Sequence, residues 1–184
     1  MYVRDARNRD EAWLLDHIEG MGLDETAFRS RDYVIAVDER ENERAGFGRV
    51  RIHKADDGEV CELTSIGVLE EWRGQGVGAH VVERLVETAG HQGFDVVYSL
   101  TDEPDYLAQF GFRRIDESDL PDRLRDRLEK KQDSLEPDAV PMRIETERFR
   151  MPSHLREAFK GAHPAEEDTE PQEGPEDFGI DPDE

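Results

Sequence analysis

The chain has 184 residues, 46 of them Asp or Glu and 24 Lys or Arg, which gives a net charge of −22. A chain this acidic repels phosphate backbones and anionic lipid, whose affinity for proteins rests on Lys and Arg, so neither nucleic acid nor a membrane is expected as its main partner. The length suits one domain, and such a domain can bury roughly 70% of the surface its unfolded chain exposes, enough for a core without staples.

In chain order, Tyr2 to Arg4 predicts a short strand. Asp10 to Met21 predicts a helix, with Trp13, Leu14, His17, Ile18 and Met21 at helical spacing and Gly20 and Gly22 ending it. Asp24 is placed to cap a short second helix through Phe28. The apolar run Tyr33 to Val37 predicts a buried strand, and the acidic stretch Asp38 to Arg44 a turn. Alternation over Ala45 to His53 predicts a third strand, a turn follows at Asp56 to Gly58, and Val60 to Val68 predicts a fourth. The period then changes: Val77, Val81, Val82, Leu85, Val86 and Ala89 share one helical face over Gly76 to Gly90. Asp95 to Leu100 predicts a buried strand, Asp105 to Phe110 a short helix, Asp119 to Asp133 a polar helix, and Ala139 to Thr146 a last strand. Only the strand, helix, strand unit from Val60 to Leu100 must be parallel; the remainder reads as a mixed α/β (α+β) arrangement with antiparallel hairpins.

Residues 161–184 hold ten acidic residues, no Lys or Arg, and four of the nine prolines. With only Phe178 and Ile180 as sizeable apolar groups, this stretch is expected to be a disordered acidic tail, because ordering costs about 1 to 2 kcal/mol per residue. The expected division is a domain over 1–150, an extension over 151–160 and the tail. Removing ten charges still leaves −12 on residues 1–160. Of the 24 basic residues 20 are Arg, and this acidic, Lys-poor pattern resembles proteins of extreme halophiles, whose self-repulsion is screened by concentrated salt. Cys61 is alone, which points to a reducing, cytoplasmic setting, and neither a signal peptide nor a membrane helix is expected.

The most informative stretch is Glu62 to Ala79, ELTSIGVLEEWRGQGVGA. Gly74, Gly76 and Gly78 alternate at a helix entry, where unpaired N–H groups and the positive helix end suit an anion, and Arg73 adds a charge beside them. One reading is simply a tight strand-to-helix turn. A second is a dinucleotide fingerprint, since Gly74, Gly76 and Ala79 satisfy G-x-G-x-x-[G/A] and Asp102 lies near the end of the next strand. Against that reading, five residues separate the loop from the strand, and residues 33–68 read as an antiparallel meander.

Arg73, Gly74, Gln75, Gly76, Val77 and Gly78 resemble the [Q/R]-x-x-G-x-[G/A] signature of GNAT-type acyl-CoA N-acyltransferases. The strand before, the amphipathic helix after, and the pair Gly111 and Phe112 extend the likeness over about residues 1–150. The resemblance implies a mostly antiparallel twisted sheet flanked by helices, with a splayed parallel strand pair around the cleft for acetyl-CoA. It places the pantetheine arm along Ile66, Gly67 and Val68 as an added strand would lie, and the pyrophosphate on Arg73 and the amides of Gly74, Gln75, Gly76, Val77, Gly78 and Ala79. An Ile66 or Val68 N–H would face the developing oxyanion. No metal is implied, and the six histidines show no ligand spacing.

The implied reaction is direct attack of a primary amine in a ternary complex. Neutralising an amine of pKa near 10.4 at pH 7 costs roughly 4.6 kcal/mol, so a base is useful. Glu62 is the candidate by its position in the likeness, and strand alternation puts it on the face of Thr64, Ile66 and Val68; a solvated strand-end glutamate is the plain alternative. Family members place a tyrosine, the acid for the leaving thiolate, four residues before the G-F glycine. Here that position is Leu107, and Tyr106 stands beside it as the candidate. Cys61 has the opposite parity to Glu62 and reads as a buried thiol rather than an acetyl carrier.

Residues 100–124 resemble stand-alone N-acetylglutamate synthase-like members, which implies an amino acid such as glutamate as acceptor; Arg49, Arg51, Arg113 and Arg114 are carboxylate candidates. Other small amines, a protein N-terminal or lysine amine, and a non-catalytic acetyl-CoA sensor stay open, as does a homodimer. The charge pattern sets one test. The melting temperature is expected to rise from about 0.1 M to molar salt as the Debye length shrinks; an unchanged melt would remove the halophilic reading.

Overall fold

The computed structural model describes residues 1–55 and 58–166. Seven strands form one sheet: β1 (Tyr2–Asp5), β2 (Tyr33–Asp38), β3 (Glu43–Ala55), β4 (Gly58–Val68), β5 (Val96–Thr101), β6 (Arg113–Arg114) and β7 (Val140–Glu145), in the order β1-β2-β3-β4-β5-β7-β6. Every neighbouring pair is antiparallel except β4 and β5. Among the described residues five α-helices accompany it: α1 (Glu11–Gly20), α2 (Val77–His91), α3 (Pro104–Ala108), α4 (Asp122–Gln132) and α5 (Ser153–Lys160).

Helix α2 forms because packing outweighs the modest propensity of its valines. Val77, Val81, Val82, Leu85, Val86 and Ala89 are all buried, and they join Val34, Ala36, Val50, Cys61, Leu63 and Val97 in the main core. Each fully buried aliphatic side chain contributes about 1.5 to 3 kcal/mol. The helix stops at Gly93, whose φ of +93° lets the chain turn away. On the opposite face, α1 covers β2 and β3 through Leu14 and Ile18, which pack with Ile35, Val37 and Phe47. There α4 covers β5 through Leu124 and Leu128, which pack with Leu100 and Tyr98.

The expected second helix at 24–28 does not form. Asp24 Oδ1 accepts from Thr26 N at 2.9 Å, a local turn, and Ala27 has φ +52°. The Arg49 guanidinium then takes the Thr26 and Ala27 carbonyls at 2.8 and 2.5 Å, so these groups bond to a side chain rather than to a helix. Two elements were not anticipated: the short β6, and α5 with the segment that follows it. Residues 161–166 of the expected tail carry contacts, with Ala162 in the main core; residues 167–184 lie outside the described residues, as do 56 and 57 of the expected turn.

One irregularity shapes the middle of the sheet. Phe47 pairs with Gly67 and Arg49 with Thr64, so β4 spends one residue more than β3 between them, and Ser65 sits at φ +57°. The bulge reverses side-chain parity. Glu62 and Thr64 face α4, whereas Ile66 and Val68 face α2, which corrects the single shared face expected for the four. Close packing on the α2 side also fixes Gly48, where a Cβ would come within 2.5 Å of Ile66 Cδ1 and 2.6 Å of Val81 Cγ1. Gly48→Ala is therefore expected to cost about 1 to 3 kcal/mol through overpacking, read as a lower melting temperature; an unchanged melt would show that α2 can move away.

Candidate acyl-CoA cleft

The parallel pair β4 and β5 is short. It holds register only at Glu62 with Tyr98 and Leu63 with Ser99, after which the strands diverge. At the fork the Ser99 hydroxyl donates to Leu63 O at 3.0 Å. Beyond it lies a cleft of about 900 Å³ lined from both faces of the sheet. Val77 to Ala79 of α2 line it on one side, and Lys131 of α4 with Met21 to Asp24 on the other, so it passes between the strands.

The β4 edge toward the opening carries unpaired backbone. Leu69 N donates to Ala45 O on the β3 side, so strand alternation turns the N–H groups of Val68 and Ile66 to the cleft. The Val68 carbonyl is already engaged: Arg73 Nε donates to it at 3.1 Å, folding the arginine back on the strand edge.

At the α2 entry, Gly74 and Gly76 have φ +76° and +78°, and Gly76 is the N-terminal cap residue. Their left-handed backbone curls the loop. Among the described residues none of the N–H groups of 74–79 donates to a protein acceptor; the first amide of the helix to do so is His80 N, to Gly76 O at 3.1 Å. A row of free donors at the positive end of a helix is a cradle for a phosphate or pyrophosphate. Of the predicted loop residues, Arg73, Gly74, Gly76, Val77, Gly78 and Ala79 line the cleft beside Ile66, Gly67 and Val68, whereas Gln75 is not part of the lining.

Tyr106 also lines the cleft, and a Cβ on Gly78 would stand 2.5 Å from its hydroxyl. Burial, and secondarily Glu103, push the phenol up to about 12, so it stays protonated at neutral pH. Leu107 turns into the main core.

Glu62 is placed elsewhere. It is fully buried and is not part of the lining. His53 Nε2 lies 2.8 Å from Oε1, and Arg127 donates Nε to Oε1 at 3.0 Å and Nη2 to Oε2 at 2.9 Å. Burial raises its pKa, but the His53 hydrogen bond and the charges of Lys131 and Arg127 outweigh that and hold the carboxyl down to about 2. A carboxylate so engaged is a weak proton acceptor. Cys61 is wholly buried on the other face, and burial pushes its thiol up to about 12.

None of the four arginines considered for a substrate carboxylate lines the cleft. Arg113 and Arg114 are exposed on β6, and Arg49 is taken by the 26–27 carbonyls. Arg51 is cross-strand from Glu62, with Nη1 buried and unpartnered. The cation that does line the far side is Lys131, 4% exposed, with Nζ 3.2 Å from Thr64 Oγ1 and from Leu100 O and 3.5 Å from Glu136. Sequence reasoning passed over it, although a lysine in so arginine-rich a chain was a signal.

The match to known proteins decides the family. The model of the Acetyltransferase (GNAT) family matches residues 3–112. The chain belongs to the GNAT family. An uncharacterized N-acetyltransferase of Chlorobaculum tepidum is 28% identical over 65 residues, 35% of this chain and 42% of that relative. Among solved structures, a Mycobacterium tuberculosis protein in complex with CoA superposes with TM-score 0.65 at 17% identity, over 79% of this chain and 99% of its own. The N-acetylglutamate synthase of Neisseria gonorrhoeae, complexed with CoA and N-acetyl-glutamate, gives 0.63 at 16% identity over 78% of this chain and 34% of its own. Arabidopsis thaliana Naa50, with a bisubstrate analogue, gives 0.56 at 15% over 77% and 96%. At these identities the likeness is one of fold; the chain spans well under half the length of the Chlorobaculum and Neisseria proteins.

The buried carboxylate contributes to the acid behaviour of this GNAT domain, together with Asp10 and Asp24, which hydrogen bonds also hold low against the opposing effect of burial. With the Glu62 pKa lowered in the fold, its pairing stabilises fully above its ordinary value near 4.5 and is lost as pH falls toward 2. Glu62→Gln is expected to cost about 1 to 3 kcal/mol, because it leaves the part-buried Arg127 with Asp24 as its remaining carboxylate, and to reduce the loss of stability between those pH values. A variant that melts like the parent would show the network to be dispensable.

Proposed function

We propose that the chain transfers an acetyl group from acetyl-CoA to the primary amine of a small acceptor by direct attack within one ternary complex. The observation that carries this reading is a single cleft joining an unpaired strand edge to a row of free amides at a helix entry, the two surfaces that an amide-bearing arm ending in a pyrophosphate needs. The residues fit such a ligand. The amides of Gly74 to Ala79 would hold the pyrophosphate, and the Ile66 and Val68 N–H groups would face the arm and the reacting carbonyl. The bound thioester supplies the activated acetyl group; the protein's part is to position it, stabilise charge and manage protons.

Tyr106 serves in this reading as a hydrogen-bond donor to the leaving sulfur. A phenol at about 12 is a weaker acid than a thiol near 8.5, so complete proton transfer to the thiolate would be uphill, while hydrogen-bond donation is not. Glu62 acts as a positioning residue. It orients Arg127, whose Nη2 also meets Asp24 Oδ2 at 2.7 Å in the cleft wall. With Glu62 engaged by His53 and Arg127, the acceptor enters in this reading as its neutral fraction. An amino acid such as glutamate is the acceptor that Lys131 favours, because this buried ammonium is the cation on the acceptor side of the cleft and can exchange Glu136 for a substrate carboxylate.

Free-thiol release with amino acids, polyamines and peptides, at low and molar salt, is the test. Turnover is expected with an amino acid, with kcat/KM rising about tenfold per pH unit toward the acceptor's own pKa. Tyr106→Phe should lower kcat about tenfold without altering that profile. A plateau near neutral pH would require a base on the enzyme, and acetyl-CoA binding without turnover on any amine would identify a sensor.

A further inference from the structure

Residues 151–165 do not end the domain passively; they lie on the glycine loop. Gly76 packs beneath α5 so closely that a Cβ would meet Leu155 O at 2.3 Å, and Leu155 itself lines the cleft. Phe159 stacks on His80, ring centroids 3.8 Å apart and 6° from parallel. Atom Nδ1 of His80 is 2.8 Å from Gly76 O, so it carries the proton and donates to the loop. Past α5, the Gln75 carboxamide makes both hydrogen bonds to the His163 backbone: Nε2 donates to the carbonyl at 2.7 Å and Oε1 accepts from the N–H at 2.9 Å. Ala165 N donates to Glu71 O at 2.7 Å on the far side of the loop.

These anchors explain how a loop with three glycines keeps one shape. Left to itself, a segment with this freedom would lose about 1 to 2 kcal/mol of conformational entropy per residue on closing around an anion. Gln75 is held by the segment and points away from any ligand, while its backbone N–H stays in the free row. We infer that residues 151–165 form a clamp that preorganises the pyrophosphate cradle, with Gln75 a positioning residue rather than a ligand contact. The inference rests on the acetyl-CoA reading and concerns how that site is held.

Calorimetric titration with CoA is the test, using the full chain, a chain ending at Glu166, a chain ending at Lys160, and Gln75→Ala in the full chain. The chain ending at Glu166 should bind like the full chain. The chain ending at Lys160 and Gln75→Ala should each bind CoA about tenfold more weakly, and Gln75→Ala should raise KM for acetyl-CoA while leaving KM for the acceptor unchanged. Pantetheine, which lacks the pyrophosphate, should bind parent and Gln75→Ala equally. Equal CoA affinity for Gln75→Ala and parent would overturn the clamp, as would a loss already complete in the chain ending at Glu166. A full chain that binds no CoA would instead overturn the acetyl-CoA reading itself.

Discussion

The fork between β4 and β5 is the constraint on which the rest of the molecule depends. Two parallel strands that could continue side by side part after Leu63 and Ser99, and the cause is local. Ser65 at φ +57° inserts one residue into β4, a conformation that costs a non-glycine residue about 1 to 2 kcal/mol. Its hydroxyl donates to Asp24 O at 2.6 Å, which offsets part of that cost and ties the chain after α1 to the bulge. One strained residue thus ends a ladder, reverses the side-chain parity of a strand and fixes the loop that forms the far wall of the cleft.

A fork leaves polar backbone without its strand partner inside a protein, and such groups must be answered. Ser99 answers the Leu63 carbonyl. Leu100, one residue beyond the last pair, gives its carbonyl to Lys131. The ammonium brings its own need for counter-charge, met by Glu136 at 3.5 Å and Glu62 at 4.0 Å, and Glu62 in turn holds Arg127 and through it Asp24. Buried ions recover their desolvation cost only when each is paired and hydrogen-bonded. The network is better understood as a wedge that keeps the strands apart than as a reservoir of catalytic base, and it accounts for a glutamate at Glu62 without asking it to take a proton.

Regular elements and the glycine loop were legible in the sequence because their signals are periodic or local. The α2 stripe, the YVIAV strand and the alternation of Gly74, Gly76 and Gly78 need nothing beyond near neighbours. The parity of Glu62 was not legible, since a bulge at a serine has no glycine to announce it and a shift of one residue moves every later side chain to the other face. The absent helix at 24–28 was lost to Arg49, a partner 22 residues away. By contrast, α5 was legible and missed. Met151, Leu155, Phe159 and Ala162 recur at helical spacing, but the stripe is short and runs directly into an acidic, proline-rich stretch whose composition obscures it.

The charge of the chain bears on how the proposed anion cradle is built. A site that collected phosphate with lysines would face long-range repulsion from the other charges at low salt, and at about 1 M salt, where the Debye length falls to about 3 Å, its attraction would be screened. Backbone amides carry no net charge to be screened, and their hydrogen bonds act only at contact. Here the cradle is made of amides, with a single arginine parked on Val68 O beside it. Affinity in such a site depends on geometry more than on charge, and geometry must be enforced by whatever packs against the loop. In the proposed reading, an acidic chain that recognises an anion through its backbone needs support behind that backbone, which is where Leu155, Phe159 and His163 stand.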